Sequence, residues 1–291
     1  MSPADFEQRL SELRPRLHRY CARMTGSVID GEDVVQEALV KALEAFGAAG
    51  SIADVEAWLV RIAHNTALDF LRRRARQNAS QSDEDLEMIV DPTAVATDSH
   101  VAEVSLRTLL RLPVSQRSSV ILMDVLGYSL EEINAITGSS IAAVKAALHR
   151  GRARLRELAN EPDDTPLPVL GEPERSLLAD YVARFNARDF DAIRDRLAAE
   201  VRLEVVGRVQ ARGRERVGNY FSNYSHATDW HMTPGLVEGH PAVLVRDPAD
   251  PSGRTAYFVL LQWTAGEVAG IRDFRYARYA SEGAELVPLP R

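Results

Sequence analysis

Two clusters of basic residues have the composition and spacing for contact with phosphate groups. The first is the run Arg72-Arg73-Arg74-Ala75-Arg76, and the second is spread over residues 145–156. Cations at this density attract a nucleic-acid backbone, and their field acts over about 10 Å at ordinary salt. The net charge of −7 is a whole-chain average, so it does not exclude such local contacts. The two clusters therefore predict two sites of nucleic-acid contact.

The second cluster lies on the long helix of a predicted helix-turn-helix. Ser129 and Glu132 have the spacing of a capping box, which begins a short helix. Gly138 makes the turn, and Ser139 or Ser140 caps a helix that runs to about residue 158. Such a helix fits the major groove of DNA, where its first turns reach base edges. The apolar residues expected to pack inward are Ile141, Val144 and Leu148.

The first cluster lies at the end of a predicted helix that starts near Asp54. Cations are favoured there by the helix dipole. A preceding helix from Asp33 to Phe46 has an apolar face and an acidic-polar face. The pattern predicts a helical bundle over residues 1–78.

The last part of the chain has a different pattern, in which strands dominate. Two amphipathic helices near 173–197 precede strand candidates that continue to about residue 279. This order predicts an α+β domain with helices packed on one curved sheet. Its candidate polar pocket residues are Tyr220, Asp229 and His231; an Asp-x-His pair on one strand would place both side chains on one face. One interpretation of these three residues is that they carry out general acid–base chemistry. The other is that they are surface residues, or core residues whose hydrogen bonds are satisfied within the fold.

Composition and chain breaks define the domain organisation. The stretch between Arg76 and Arg107 has no lysine or arginine and many acidic residues, and a second break contains three prolines. We predict a multidomain protein with two all-α domains followed by one α+β domain. The predicted segments are 1–78, an acidic linker 79–104, 105–158, a proline-rich linker 159–171, and 172–291.

The helical parts resemble a known family of bacterial transcription factors. Leu126-Gly-Tyr-Ser-Leu-Glu-Glu-Ile133, with Val144-Lys-Ala-Ala-Leu-His-Arg-Gly-Arg-Ala-Arg-Leu-Arg156, resembles region 4 of the extracytoplasmic-function (ECF) sigma factors. Gly31-Glu-Asp-Val-Val-Gln-Glu-Ala-Leu-Val-Lys-Ala-Leu43 and Ala57-Trp-Leu-Val-Arg-Ile-Ala-His-Asn-Thr-Ala-Leu-Asp-Phe-Leu-Arg-Arg-Arg74 resemble region 2. The resemblance covers about residues 5–158.

The resemblance implies partners and site residues. The partners are RNA polymerase core, through its β′ coiled coil and β flap, and promoter DNA. The β′-binding residues are Asp33, Gln36 and Glu37. The residues matching the segment that melts and holds the −10 element are Trp58, Arg61, His64, Asn65, Asp69, Arg72, Arg73 and Arg74. The residues expected at the −35 element are Ser140, Ala143, Lys145, Ala146, His149, Arg150 and Arg152.

The last domain resembles the SnoaL-like cone fold, through its element order and Ala183-Arg-Phe-Asn-Ala-Arg-Asp-Phe190. The resemblance implies a regulatory extension that responds to a small-molecule or protein signal. We expect no catalytic activity, although a cyclase- or isomerase-like reaction in this domain stays open. We also expect a cytoplasmic protein with no cofactor, no metal and no membrane contact. Two alternatives remain: a helix-turn-helix regulator that binds DNA alone and senses a ligand, and an enzyme.

Overall fold

The structure, a computed structural model, describes five stretches of the chain: 2–48, 52–79, 104–159, 161 and 169–290. The chain divides into two compact units, 1–163 and 164–291. Most of the predicted acidic linker and of the proline-rich linker lies outside the described residues. Each unit is described by itself below.

The first unit is built from helices in all its described parts. Three long helices come first and four shorter segments follow. They are α1 (Pro3–Thr25), α2 (Val28–Phe46), α3 (Val55–Ala79), α4 (Leu106–Leu110), α5 (Val114–Val120), α6 (Leu130–Thr137) and α7 (Ile141–Leu158). A π-helical turn, Ile121–Val125, continues α5.

Local sequence explains where the first helices start and how closely they pack. The Ser2 side chain accepts a hydrogen bond from the Asp5 backbone N–H, which completes a capping box at the start of α1. Gly26 ends α1 in the left-handed conformation, and Ser27 caps α2. At Gly31 a Cβ atom would lie 2.6 Å from the Cα of Ala22. Only glycine therefore allows α2 to approach α1 this closely.

The helix-turn-helix forms as its capping residues predict. The Glu132 N–H donates to the Ser129 hydroxyl, and the Glu132 carboxylate accepts from the Ser129 N–H at 2.7 Å. Gly138 has a φ of 71° and separates α6 from α7. Ser140 caps α7 by accepting from the Ala143 N–H. The predicted capping box is confirmed, and so is the helix, turn, helix order.

The helices α1–α3 and α4–α7 share one continuous apolar core. The guanidinium of Arg117, only 5% exposed, donates to the carbonyl oxygens of Met24 and Leu112. Arg16 donates to the Leu126 carbonyl at 2.7 Å and stacks on the Tyr128 ring. The two helical groups are therefore joined by buried polar contacts as well as by apolar packing.

The second unit has a seven-stranded sheet packed against helices, which confirms the predicted α+β class. Its helices are α8 (Glu172–Asn186), α9 (Phe190–Asp195), α10 (Arg214–Gly218) and α11 (Tyr220–Ser225). Its strands are β1 (Leu197–Val205), β2 (Val209–Arg212), β3 (His231–Val237), β4 (His240–Arg246), β5 (Tyr257–Thr264), β6 (Glu267–Asp273) and β7 (Leu286–Pro288). The strand order is β2-β1-β6-β5-β4-β3-β7; β1 and β6 are parallel, and the other neighbours are antiparallel.

Apolar side chains on one face of this sheet pack against the helices. The core includes Phe185 of α8, Phe221 of α11, and Val259 of β5. A short 3-10 helix, Arg278–Ser281, follows β6. In the described parts of the chain, no helix is both long and apolar enough to span a membrane.

Candidate nucleic-acid interface

One face of α3 presents most of the residues expected at the −10 element. Arg61, Asn65, Asp69 and Arg72 are exposed, and their spacing of three to four residues places them in one row along the helix. Arg73 and Arg74 are also exposed at the end of this row. The row can follow a strand of nucleic acid by contacts with its phosphates.

His64 lies in the core, which does not fit the DNA-facing position expected for it. Its ring is 4% exposed, and its Nδ1 atom lies 2.6 Å from the Tyr20 hydroxyl oxygen. Burial lowers the pKa of His64 to about 4, so the ring is neutral at physiological pH. The physical reason is the helical period, which turns position 64 toward α1 while positions 61 and 65 face outward. We therefore remove His64 from the candidate interface.

Trp58 occupies an intermediate position. The side chain is partly buried and packs against the core, with its ring centroid 6.1 Å from that of Phe6. It lies three residues before Arg61 and so on the same side of α3. The indole therefore contributes to the packing of the bundle and keeps part of its surface exposed.

The arginines at the end of α3 form ion pairs with acidic residues of the same unit. Arg72 pairs with Asp69 of the same helix at 3.1 Å. Arg73 pairs with Glu37 at 2.7 Å, and Arg74 pairs with Asp30 at 2.9 Å; both acids belong to α2. The positive cluster is therefore partly neutralised by the chain itself.

The polar face of α2 is accessible. Asp33 and Gln36 are exposed, and Glu37 is half-buried. Partial burial acts to raise the pKa of Glu37, but hydrogen bonds from Lys41 and Arg73 outweigh it and lower that pKa. Val40 and Leu43 continue the face, with exposures of 45% and 48%. Exposed aliphatic residues beside carboxylates suit a partner surface that is basic with an apolar centre.

The long helix α7 presents a polar and basic surface over its first three turns. Ser140, Ala143 and Lys145 are exposed, and Ala146, His149 and Arg150 are half-exposed. Val144 and Leu148 are buried as predicted, but Ile141 is 37% exposed. Ile141 is the first residue of α7, directly after the turn that separates it from α6. The accessible face can enter a major groove.

Arg152 is part of the fold as well as of the basic surface. Its guanidinium makes two hydrogen bonds to the Asp124 carboxylate, and the side chains are 14% and 8% exposed. This ion pair joins α7 to the π-helical turn. Beside it lies a pocket of about 260 Å³, whose lining consists of Met123, Leu130, Lys145, Leu148, His149, Arg152 and Arg156.

In the second unit, hydrogen bonds link two of the predicted pocket residues. The Tyr220 and Tyr224 hydroxyls both donate to one oxygen of Asp273 at 2.7 Å. The Tyr257 hydroxyl lies 3.3 Å from that of Tyr224 and accepts a bond from Arg275 at 2.8 Å. Arg275 in turn donates to both oxygens of Asp229 at 2.8 Å, so Tyr220 and Asp229 are the two ends of one network.

The two residues of the predicted Asp-x-His pair lie at the start of β3. Asp229 precedes β3, so the pair does not lie on one strand as expected. His231 is the first residue of β3, and its neighbour Met232 points into the core. Adjacent strand residues point to opposite faces, so the His231 side chain points away from the face that Met232 occupies.

Sequence reasoning missed the centre of the network, Asp273. The carboxyl group is 1% exposed; burial raises its pKa, and the hydrogen bonds from both tyrosines and from the Arg275 N–H oppose that rise. One feature of the sequence could have identified Asp273. It lies two positions after Ile271, so it shares the inward face of an apolar strand. No group of three or more His, Cys, Asp or Glu within the described stretches has the arrangement of a metal site.

Comparisons with known proteins match both helical groups to sigma-factor families. The family model described as Sigma-70 region 2 matches residues 10–77, and the model described as Sigma-70, region 4 matches residues 105–155. The ECF RNA polymerase sigma factor SigG of Mycobacterium tuberculosis is 32% identical over 227 residues, which cover 69% of this chain and 61% of SigG. The chain thus spans less than two thirds of the length of that relative.

Two further relatives from Mycobacterium tuberculosis are similar. The crystal structure of the extracytoplasmic function sigma factor SigJ matches with a TM-score of 0.34 and 20% identity. The matched part covers 91% of this chain and 95% of the SigJ chain. The ECF RNA polymerase sigma factor SigM is 33% identical over 153 residues, which are 53% of this chain and 76% of SigM. Since most of SigM is covered at this identity and both region matches occur in order, the chain belongs to the family of ECF RNA polymerase sigma factors.

Proposed function

We propose that this protein binds RNA polymerase core and directs it to promoters. The observation that carries the proposal is the presence, in one unit, of three accessible surfaces of different chemistry. These are the basic face of α7, the polar and basic row on α3, and the acidic and aliphatic face of α2. A DNA-binding regulator that acts alone needs the first surface but has no use for the other two.

The α3 row is proposed to hold the −10 element. Arg61, Asn65 and the arginines at 72–74 contact phosphates and unpaired bases, and the partly exposed ring of Trp58 stacks on an unpaired base. Stacking of this kind contributes about 1–3 kcal/mol per base. His64 is not among these residues because it is buried.

The α7 face is proposed to read the −35 element in the major groove. Ser140, Ala143, Lys145 and Ala146 are the residues closest to base edges, because they belong to the first turns. His149 and Arg150 lie one turn further. Arg152 is assigned a positioning role, since Asp124 holds its guanidinium.

The α2 face is proposed to bind the β′ coiled coil through Asp33, Gln36 and Glu37. Val40 and Leu43 extend this contact with apolar area. The remaining surface of region 4 is proposed to contact the β flap.

Simultaneous binding of both elements requires the two helical groups to separate. The −10 and −35 elements are about 25 base pairs apart, which is roughly 85 Å of B-form DNA. A compact unit of this size has a radius of gyration of about 15 Å. The joined core is therefore proposed to be the form of the protein before it is loaded on polymerase.

The domain boundaries are proposed at 1–78, 105–158 and 172–291, with the acidic and proline-rich segments as linkers. The last domain is proposed to be SnoaL-like and to regulate promoter activity in response to a small molecule or a protein. We assign it no catalytic role, because Arg275 donates to both carboxylate oxygens of Asp229. The site of action is the cytoplasm, where RNA polymerase is found.

Co-elution of the full chain with RNA polymerase core in size-exclusion chromatography tests the first step. We expect a one-to-one complex, and we expect Asp33→Ala with Leu43→Ala to weaken it at least tenfold. Glu12→Ala on α1 is the control, since its carboxylate pairs with Arg9 and lies outside the α2 face. Absence of any complex, or equal complexes for all variants, would contradict the proposed polymerase surface.

A further inference from the structure

The pocket of about 260 Å³ beside α7 has an apolar part that is built from three elements. Met123 comes from the π-helical turn, Leu130 from the start of α6, and Leu148 from α7. All three side chains belong to the core of the first unit or pack against it. Sites for drug-sized ligands have volumes of about 300–1,000 Å³, so this pocket suits a smaller molecule with an apolar body.

The polar part of the pocket lining is cationic. Its members share one side of α7 and are Lys145, His149, Arg152 and Arg156. Among the described residues that line the pocket, none is acidic. The Arg152 guanidinium already donates to both oxygens of the Asp124 carboxylate, so that charge is balanced. The lining therefore has an excess of positive charge, part of which is the exposed ammonium group of Lys145.

The imidazole of His149 has an unsatisfied polar atom. Its Nε2 atom is buried and makes no hydrogen bond within the part of the chain that the structure describes. A buried polar atom without a partner costs free energy, which a ligand with a matching group recovers. With its proton on Nε2, the ring donates to an acceptor such as a carboxylate oxygen. The pocket thus combines an ammonium group, a hydrogen-bond donor and an apolar surface.

We propose that this pocket binds a small organic anion with an apolar body, of the class of aromatic and branched aliphatic carboxylates. The carboxylate accepts hydrogen bonds from Nε2 of His149 and from the ammonium group of Lys145. The apolar body packs against Met123, Leu130 and Leu148. The polar contacts orient the anion, and the apolar lining excludes small inorganic anions from the same role.

Two residues of the pocket, Lys145 and His149, also belong to the face of α7 that is proposed to read the −35 element. One ammonium group cannot pair fully with a carboxylate and with DNA at the same time. The anion and the −35 duplex therefore compete, and by linkage each weakens the binding of the other by the same factor. The competition rests on the proposed function, whereas the binding of the anion does not.

The first arm of the test titrates the full chain with 2-naphthoate, an aromatic carboxylate. Calorimetry should show saturable binding with a dissociation constant of about 0.1–1 mM. In NMR spectra of isotope-labelled methionine methyl groups, the Met123 signal should shift, and the signal of Met232 in the core of the second unit should not. The variant Met123→Leu assigns the first signal by its loss. Binding without saturation, or equal shifts at both methionines, would overturn the site.

The uncharged analogue 2-naphthamide tests the role of the charge. It has the same apolar body but offers no carboxylate to Lys145, so it should bind about tenfold more weakly. Equal affinities for the two probes would refute the recognition of an anion.

Lys145→Gln and Arg150→Gln are a matched pair of variants. Each removes one positive charge from α7, but Arg150 is not among the residues that line the pocket. Lys145→Gln should weaken naphthoate binding about three- to tenfold, and Arg150→Gln should leave it unchanged. Equal losses in the two variants would mean that the charge of the whole helix attracts the anion, which refutes the site.

The second arm measures the affinity of the full chain for a fluorescent −35 duplex by anisotropy, with saturating 2-naphthoate or with sodium chloride at the same concentration. The naphthoate should weaken duplex binding about three- to tenfold in the wild type. It should weaken binding less in Lys145→Gln, where the shared cation is already absent. An unchanged affinity in the wild type would overturn the competition. If the duplex does not bind at all, the proposed −35 contact fails, while the first arm still decides whether the pocket binds the anion.

Discussion

The guanidinium of Arg117 donates a hydrogen bond to the carbonyl oxygen of Met24, across the boundary between the two matched sigma regions. Close by, the Leu110 side chain lies against Gly26, where a Cβ atom would overlap it. This contact joins the end of α1 to α4. It holds the DNA-binding groups together in the form described here.

The Gly26–Leu110 contact can be tested by a double-mutant cycle. Gly26→Ala should destabilise the protein in two ways, because Gly26 has a φ of +77° and because the new methyl group overlaps Leu110. In the Leu110→Ala background only the backbone strain remains, at about 1 kcal/mol. Urea unfolding of the four proteins measures both costs.

Because the new methyl group overlaps Leu110, Gly26→Ala should lower the free energy of unfolding by about 1–3 kcal/mol more in the wild type than in the Leu110→Ala background. Equal costs in the two backgrounds would mean that the two helical groups do not touch at this point.

His64 gives the first unit a pH-dependent stability. Its folded pKa of about 4 lies below its ordinary value of 6.5, so the unfolded chain binds a proton that the folded chain excludes. Stability is therefore full above about pH 6.5 and falls as the pH drops toward 4. We expect a loss of about 2 kcal/mol between pH 7.5 and pH 5 from this group alone.

Urea titrations of the wild type and His64→Gln at both pH values measure this effect. The variant should lose less stability on acidification than the wild type. An identical loss in both proteins would show that His64 is not the group responsible.

Arg150 and Arg152 should behave differently although they are two residues apart. Arg150→Ala should lower the −35 affinity and its salt dependence with little change in melting temperature. Arg152→Ala should cost about 3–5 kcal/mol of folding stability, because it leaves the Asp124 carboxylate buried without its partner.

Thermal melts and binding to a −35 duplex at several salt concentrations separate the two effects. Asp124→Asn in the Arg152→Met background should restore part of the stability. The assignment fails if Arg152→Ala melts like the wild type.

The network around Asp273 should matter for the second unit. Tyr220→Phe removes one of the hydroxyls that donate to the buried Asp273 side chain, and leaving a buried acceptor without its partner costs about 1–3 kcal/mol. Tyr276→Phe is the control, since Tyr276 is 59% exposed. Denaturant unfolding should separate the two variants, and equal midpoints would contradict the role of the network.

The sequence predicted elements well where local signals agree. The cap at Ser129 and the turn at Gly138 predicted both helices of the helix-turn-helix, and the structure shows that Ser140 rather than Ser139 caps the second one. The α+β class followed from the change in period after residue 172. By contrast, β7 was not predicted, because three residues are too few to show the alternation of a strand.

The sequence predicted which residue types form the candidate site, but it predicted less well which of their side chains face outward. His64 and Asn65 are neighbours in the same motif, yet one is buried with Tyr20 and the other is exposed. Which of them faces outward depends on where α1 packs, and no local signal gives that. The Arg73–Glu37 pair joins residues 36 positions apart, so it too depends on tertiary packing.

Run-off transcription with RNA polymerase core most directly tests the central claim. Core enzyme is incubated with the full chain on a library of promoter-length DNA fragments, and transcript start sites are mapped. We predict starts at a defined subset of fragments that share −35 and −10 sequences, and their loss with Asp33→Ala combined with Leu43→Ala. Random starts equal to those of core enzyme alone would contradict the account.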